Sequence, residues 1–262
     1  MTERIVIRDL ASHEDYAACV QLQRDTWGAD FHDVVPASIQ LVSQKLGGVA
    51  AGAFDELGRM VGFVYGMTGV ERGKVVHWSD MLAVRPEVRN AGIGRRLKEH
   101  QRKAVARAGG EVIYWTYDPL VARNAHLNFN VFGVRVVEYV RDMYGGNTGS
   151  ALHRVGTDRL IVAWPVKTSA ASKRRAEIAR ARKPQKGELL VDIPRDIESI
   201  IQLDPPTAVK WRASVRTGLE AALTAGYRLD GVRIDDSGAR YVLMPASPRK
   251  PATRRAAKRS KR

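Results

Sequence analysis

Residues 84–94 place an Arg-x-x-Gly-x-Gly loop between an apolar strand and a basic amphipathic helix. The strand pattern covers residues 77–84, and the helix pattern covers residues 95–108. A helix N-terminus has backbone N–H groups without intrahelical partners, and these groups bind phosphate well. Glycines allow a ligand to approach the backbone closely. The sequence therefore predicts a strand–loop–helix unit that binds a phosphate group.

Two other phosphate-binding loops do not fit this stretch. A P-loop requires Lys and then Ser or Thr after its second glycine, whereas Arg95 and Arg96 follow Gly94 here. The dinucleotide fingerprint Gly-x-Gly-x-x-Gly is not present in the loop either, because Leu97 stands where its third glycine would be.

The net charge of +15 is concentrated in two segments. Residues 167–187 contain eight basic residues and one acidic residue, and residues 246–262 contain eight basic residues and no acidic one. These two segments account for the whole excess, so the rest of the chain is formally neutral. Their composition is typical of a solvated linker and a disordered tail. We expect any nucleic acid to bind only through them.

Composition limits the class of protein further. The 44% of hydrophobic residues is enough for a large core. No apolar run is long enough to span a bilayer, and residues 2–9 lack the apolar segment of a signal peptide. The single cysteine, Cys19, rules out an internal disulfide and a Cys-rich metal site. We expect a cytoplasmic protein with no membrane partner and no bound metal.

Periodicity and turn signals predict the order β-α-α-β-β-β-loop-α-β-α-β-β over residues 3–166. The predicted strands are residues 4–9, 49–54, 60–68, 75–84, 111–117, 134–139 and 160–166, and the predicted helices are residues 12–27, 36–46, 95–108 and 120–132. A loop with Gly145, Gly146 and Gly149 separates the last two strands.

Residues 188–245 form a second predicted unit. It contains a strand at residues 189–193, a short helix, a longer helix at residues 205–225 and two final strands. The succession of helix, Gly-aromatic and two strands is similar to that of residues 120–166. It is either a degenerate half-repeat of the first unit or a chance similarity of two αββ units.

This element order and the glycine loop resemble the GNAT N-acyltransferase superfamily over residues 3–166. The resemblance depends on the Arg89-x-x-Gly92-x-Gly94 motif after an apolar strand, and on a helix that ends in Gly133 before a strand. It implies an α+β fold layered α/β/α, with a mixed, mostly antiparallel twisted sheet flanked by helices and a smaller C-terminal αβ unit. The predicted domains are residues 1–166 and 188–245, joined by the linker 167–187 and followed by the tail 246–262.

A narrower resemblance points to one branch of bacterial GNAT-like proteins. It depends on residues 114–120, 124–128, 144–145 and 157–159. Some members of that branch occur beside N-acylamino-acid racemases and are thought to succinylate amino acids.

The resemblance implies transfer of an acyl group from acetyl-CoA or another acyl-CoA to a primary amine of a small molecule, by direct attack on the thioester. The alternative in the same class is an amino-acid N-succinyltransferase that uses succinyl-CoA. A succinyl carboxylate would require a cation in the acyl pocket, and the sequence does not place one there. A rival of another class is a non-catalytic CoA-binding or nucleic-acid-associated protein. A homodimer is compatible with all of these.

The predicted CoA-binding residues come from three places. Backbone N–H groups of the loop would hold the pyrophosphate, with added charge from the arginines. The resemblance implies that the preceding strand splays from the next one and leaves its backbone free for the pantetheine arm and acyl carbonyl. Two amides in an apolar stripe of residues 120, 124, 127, 128 and 131 would bond either the neighbouring strand or the pantetheine. The set is Leu82, Ala83, Val84, Arg89, Asn90, Ala91, Gly92, Ile93, Gly94, Arg95, Asn124 and Asn128.

Asp80 is the favoured base or amine-binding group. Strand alternation places it on a face with Trp78, Leu82 and Val84, where a carboxylate must find a partner or line a cleft. His77, on the opposite face, is the competitor, and a water relay is equally open. Each of the two side chains could instead be a satisfied structural group.

The proton donor to the CoA thiolate is an open question. Many GNAT enzymes use a tyrosine four residues before the helix-ending glycine, and this position is Phe129 here. Either the thiolate leaves unprotonated or another tyrosine serves. The candidates are Tyr117, Tyr139 and Tyr144.

Two further regions are expected near the acceptor. Asp118 ends a strand at Pro119, where it either faces a binding site or only initiates a turn. Residues 28–35, which include Asp30, His32 and Asp33, lie where related folds place the acceptor. One histidine in a loop is weak support for a metal site.

Overall fold

The computed structural model describes residues 4–145, 151–167 and 183–246. In this part of the chain the helices are α1 (His13–Trp27), α2 (Ala37–Lys45), α3 (Ile93–Arg107), α4 (Ala122–His126), α5 (Ile197–Leu203) and α6 (Pro205–Thr224). The strands are β1 (Val6–Asp9), β2 (Val49–Phe54), β3 (Met60–Glu71), β4 (Lys74–Val84), β5 (Val112–Tyr117), β6 (Arg135–Val140), β7 (Arg159–Pro165), β8 (Leu189–Ile193), β9 (Tyr227–Asp235) and β10 (Gly238–Pro245). Gly146, Gly149, most of the predicted linker and nearly all of the predicted tail lie outside the described residues.

Seven of these strands form one sheet in the order β1-β2-β3-β4-β5-β7-β6, and three form a second sheet in the order β8-β10-β9. Among the described strands, β4 and β5 are the one parallel pair of neighbours. This confirms the predicted fold class, a mixed and mostly antiparallel sheet with helices and a smaller C-terminal sheet. None of the helices in the described ranges has the length and hydrophobicity that a bilayer crossing requires.

The predicted helix at residues 120–132 lies in the right place, but its geometry is not regular. α4 passes into a π-turn, Leu127–Phe132, which ends at Gly133 in the left-handed conformation (φ 73°). A π-turn has more residues per turn than an α-helix and so rotates the side chains that follow. Asn128 and Phe129 are consequently both buried, and the regular apolar stripe that the sequence predicted is interrupted.

The two faces of the seven-stranded sheet carry separate cores. On one face, α1 and α2 pack over side chains that include Phe63 and Tyr65. On the other face, α3 and the π-turn cover a cluster that includes Leu97 and Phe129. This second cluster continues into the C-terminal sheet, where Tyr241 belongs to it. The two sheets therefore share one core.

Buried ion pairs also join α6 to the seven-stranded sheet. Arg212 donates to both carboxylate oxygens of Asp118 (2.9 and 2.6 Å) and to the carbonyl of Val155 (3.0 Å). Arg216 donates to both carboxylate oxygens of Asp158 (2.8 and 2.5 Å). Bidentate pairs of this kind fix both distance and orientation, and the buried one is costly to break.

Arg212→Ala should therefore destabilise the protein by about 3 kcal/mol, because the Asp118 carboxylate would lose its bidentate partner in a buried place. The control is Arg123→Ala, which breaks an exposed pair with Glu198 between the same two parts of the chain and should cost at most about 1 kcal/mol. Denaturant unfolding measures both changes. Equal losses for the two variants would contradict the assigned role of Arg212.

Candidate functional site

The loop before α3 leaves the first backbone N–H groups of that helix without a side-chain cap in the described structure. Gly92, the N-cap residue, has φ 74°, and Asn90 has φ 65°. Among the described residues no side chain caps this helix, and its first turn contains no acidic residue. The N–H groups of Ile93, Gly94 and Arg95 therefore point out of the helix end, where an anion can accept their hydrogen bonds.

Arginine side chains surround this helix end. Arg89 and Arg95 are exposed, and Arg89 Nε donates to the carbonyl of Val84 (3.2 Å). Arg96 donates to the carbonyl of Ile5 (2.7 Å). Cations near a helix N-terminus oppose the helix dipole and destabilise the helix. The arrangement becomes favourable when an anion binds between the N–H groups and the guanidinium groups.

β4 and β5 pair over three positions and then diverge. Residues 76–78 of β4 lie opposite residues 112–114 of β5, and in the described structure no further pairing between the two strands follows. We call the gap between residues 79–84 and residues 115–117 the fork. The splay that the family resemblance implied is thus present. Residues 82–84 have no strand partner on the side away from β3 in the described structure, and apart from the Val84 carbonyl, which accepts from Arg89, their backbone groups there are available to a ligand.

A β-bulge sets the position of Asp80 on the fork. Tyr65 of β3 pairs with Met81, and Gly66 pairs with Ser79, so Asp80 has no residue opposite it. A bulge adds one residue to one strand and increases the local twist. It lies two residues beyond the last position at which β4 pairs with β5.

The bulge also corrects an expectation from simple alternation. Alternation alone predicts that Asp80 shares a face with Trp78, Leu82 and Val84. The strand register instead places Leu82 and Val84 on the face of His77, over α3, and leaves Trp78 on the other face. Because of the extra residue, each side chain of β4 beyond Asp80 lies on the face of the sheet opposite to the one that simple alternation predicts.

Asp80 is exposed and electrostatically coupled to the loop at residues 28–35. Desolvation by the surrounding protein atoms, and then the negative charge of Asp33, raise the pKa of Asp80 above its ordinary value. Burial raises the pKa of Tyr65, and the charge of Asp80 adds to that effect. The Tyr65 hydroxyl lies 2.7 Å from Ser43 Oγ. Solvent reaches the Asp80 carboxylate, so it can exchange protons with a ligand.

His77 is fully buried, and both of its ring nitrogens have hydrogen-bond partners. Gln101 Nε2 donates to His77 Nε2 (3.0 Å), and His77 Nδ1 lies 3.0 Å from Thr68 Oγ1. Thr68 Oγ1 donates to the carbonyl of Gly47 (2.6 Å), so Nδ1 is assigned as the donor to Thr68. Burial and the charge of Lys98 lower the pKa of His77 to about 4. This geometry makes His77 a neutral structural group and disfavours it as a base.

Two of the three candidate tyrosines have buried partners. The Tyr117 hydroxyl donates to that of Tyr241 (3.2 Å), which donates to the carbonyl of Pro119 (2.9 Å). Burial raises the pKa of Tyr117 well above its ordinary value. Phe129 is fully buried and lies edge-on to both tyrosine rings. The Tyr139 hydroxyl donates to Asp158, and burial also raises its pKa.

Tyr144 is placed differently. Its side chain is 40% exposed, and its hydroxyl lies 2.9 Å from Thr116 Oγ1, on the β5 side of the fork. Its ring stacks on His153 (centroids 6.4 Å apart), and the Arg159 guanidinium lies 5.1 Å from the ring centroid. Of the three candidates, this geometry favours Tyr144 as the proton donor.

The two amides predicted on one helix face have different roles. Asn128 is buried and accepts a hydrogen bond from Trp115 Nε1 (3.0 Å), which ties the π-turn to β5. Asn124 is half-buried, and its side chain forms no hydrogen bond with the described residues. Asn128 therefore fits the structural alternative, and Asn124 is available to a ligand amide.

The sequence did not single out the polar cluster beside Asp118. Arg159 donates to His153 Nε2 (2.6 Å) and lies 3.6 Å from Asp118. Burial and the charge of Arg159 lower the pKa of His153 to about 4, whereas Asp33 acts in the opposite direction. The negative charge of Asp33 thus raises the pKa of both Asp80 and His153. In the sequence, Arg159 belongs only to the motif at residues 157–159 that supports the narrower resemblance. No local pattern marks His153 as a site residue.

Trp27 fixes the start of that loop. Its ring stacks on Phe31 (centroids 5.6 Å apart) and lies edge-on to Phe63. Among the described residues, no group of three or more His, Cys, Asp and Glu side chains is placed to hold a metal ion. His32 and Asp30 are exposed.

Solved structures match this architecture. A chain of the NatC complex bound to Gag peptide and CoA matches with TM-score 0.51 and 16% identity, over 63% of this chain and 99% of that one. NAA60 of Arabidopsis thaliana in complex with a bisubstrate analogue matches with TM-score 0.50 and 16% identity, over 63% and 100%. A protein of Acinetobacter baylyi ADP1, described provisionally as an acetyltransferase, matches with TM-score 0.50 and 14% identity, over 63% and 94%.

No protein-family model and no curated protein matches the sequence significantly. At identities this low, the structural matches show the fold alone. They confirm the fold that the resemblance implied, over 63% of the chain.

Arg95→Gln tests whether the α3 N-terminus is an anion site. Removing this cation should leave the free energy of unfolding unchanged or raise it by about 0.5 kcal/mol, since the cation opposes the helix dipole. The same change should weaken CoA binding about fivefold at low salt. Calorimetric titration and thermal unfolding measure the two effects. Lys103→Gln, in the same helix, is the control and should change neither; unaltered CoA affinity of Arg95→Gln would count against the site.

Proposed function

We propose that this chain, which has the GNAT acetyltransferase fold, transfers an acyl group from acyl-CoA to a primary amine of a small molecule. The observation that carries the proposal is the continuity of two features along the chain. β4 forms the open fork, and the loop that leaves β4 forms the uncapped N-terminus of α3. A molecule with a diphosphate at one end and a thioester at the other fits both at once.

The diphosphate would bind the N–H groups at residues 93–95, with Arg89 and Arg95 as counter-charges. The pantetheine arm carries amides, and the open backbone edge at residues 82–84 offers the partners that amides need. Asn124 would supply one further hydrogen bond. Of the matched structures, the NatC complex was solved with CoA, which supports a CoA ligand for this fold.

Asp80 is the proposed base. The amine would enter from the face of the loop at residues 28–35 and attack the thioester carbon, forming the C–N bond as the C–S bond breaks. The proton lost from nitrogen would go to the Asp80 carboxylate, whose raised pKa makes it a better proton acceptor. Asp33 lies close enough to Asp80 to help attract a cationic amine.

The leaving thiolate would take a proton from the Tyr144 hydroxyl or leave unprotonated. Tyr144 is the candidate whose hydroxyl lies at the fork and whose side chain is partly exposed to solvent. A thiol of ordinary pKa about 8.5 leaves readily as thiolate, so the loss of this donor should slow the reaction only modestly.

The direct test is release of free CoA thiol. Acetyl-CoA and other acyl-CoA thioesters are combined with a panel of amines and free amino acids, and thiol is measured against a control without amine. Amine-dependent release supports the enzyme. If CoA binds and no amine gives release, the chain is the non-catalytic CoA-binding protein of the rival hypothesis.

Asp80→Asn should lower kcat about 100-fold and leave the affinity for CoA unchanged, because the variant keeps the shape and loses the base. Asp33→Asn is the matched variant. Removing its negative charge lowers the pKa of Asp80, so the acidic limb of the kcat profile should move to lower pH. Wild-type kcat in Asp80→Asn, or an acidic limb that does not move in Asp33→Asn, would refute this assignment.

A further inference from the structure

Lys98, on α3, lies at the closed end of the fork. Its Nζ donates to Ser79 Oγ (2.7 Å) and lies 4.0 Å from the ring centroid of Trp115. Ser79 and Trp115 are the first residues of β4 and β5 beyond their last paired positions, Trp78 and Tyr114. The amine therefore contacts both strands at the point where they separate.

Lys98 is 3% exposed, and among the described residues no carboxylate lies within 4 Å of its Nζ to serve as a counter-charge. On β4, the titratable group whose pKa is lowered by the charge of Lys98 is His77, which is neutral. Desolvation lowers the pKa of Lys98 to about 7. A hydroxyl and an aromatic face compensate for only part of the loss of water around a buried ammonium.

We propose that Lys98 binds a carboxylate at the far end of the acyl group, so that the preferred donor is the CoA thioester of a short dicarboxylic acid. This inference rests on the proposed function. An acyl chain that enters the fork extends towards its closed end, where Nζ lies. A terminal carboxylate there forms an ion pair with Lys98 and satisfies it. A methyl terminus supplies no counter-charge to the amine.

The sequence could not place this cation. Lys98 stands among several basic residues on a helix with a strongly basic outer face, and a lysine in such a run is normally solvated. Lys98 differs from the other basic residues of α3 in being buried, and this burial results from the packing of α3 under the fork. Lys103, on the same helix, is exposed and serves as the matched control.

Binding of succinyl-CoA and butyryl-CoA to the wild-type protein tests the inference without an acceptor. The two acyl groups have the same number of carbons and differ in a terminal carboxylate. At pH 8 most of the free Lys98 is neutral, because its pKa is about 7. A carboxylate raises that pKa, so succinyl-CoA should bind with uptake of close to one proton. Calorimetry in buffers of different ionisation enthalpy measures this uptake, which butyryl-CoA should not show.

Lys98→Met removes the charge and keeps a similar volume. The wild type should bind succinyl-CoA about tenfold or more tightly than butyryl-CoA, and the variant should lose that preference together with the proton uptake. Lys103→Met should keep both. Should Lys98→Met fail to fold, the proton uptake of the wild type decides alone.

The outcomes separate this inference from the proposed function. If neither thioester binds, the proposed function fails. If both bind with equal affinity and without proton uptake, only the role of Lys98 fails. An equal loss of affinity for both thioesters in Lys98→Met would assign Lys98 to the structure of the fork and would also overturn the inference.

Discussion

The end of strand pairing between β4 and β5 is the constraint on which the candidate site depends. The bulge at Asp80 increases the twist of β4 just beyond the last paired residues, and the two strands separate there. Backbone groups along such an edge must bond to water or to a ligand, because no neighbouring strand receives them. The fork therefore creates a requirement for a polar, extended partner, and the bulge places a carboxylate beside it.

Among the described residues, three features of one region are only partly compensated by the protein itself. They are the open edge of β4, the arginine-flanked N-terminus of α3 and the buried amine of Lys98. Each is unfavourable alone, and each becomes favourable with a ligand of matching chemistry: amides, a diphosphate and a carboxylate. An acyl-CoA thioester with an acidic terminus carries all three groups on one chain, in the order diphosphate, amides, carboxylate. Because the three features are independent and each fits a different part of the same molecule, together they support an acyl-CoA ligand more strongly than any one of them alone.

Much of the fold could be predicted from the sequence, because alternation, glycine stops and caps are local signals. The glycine loop at residues 89–94 and the order of strands and helices are of this kind. The sequence could not predict on which face of the sheet the side chains of β4 beyond Asp80 lie, because no local sequence pattern marks the bulge. The sequence likewise left open whether Asn124 and Asn128 bond the protein or a ligand, and the π-turn and its packing distinguish the two. Lys98 and Arg212 acquire their partners only through packing between residues distant in sequence, so no local pattern identifies them.

The central claim is that a CoA thioester lies along the fork and ends at the α3 N-terminus. Backbone amide chemical shifts of the isotope-labelled protein, recorded with and without CoA, test it directly. The account predicts shifts at residues 82–84 and 93–95 together, with little change in β8–β10. Shifts confined to residues outside these two segments, or none at saturating CoA, would contradict it.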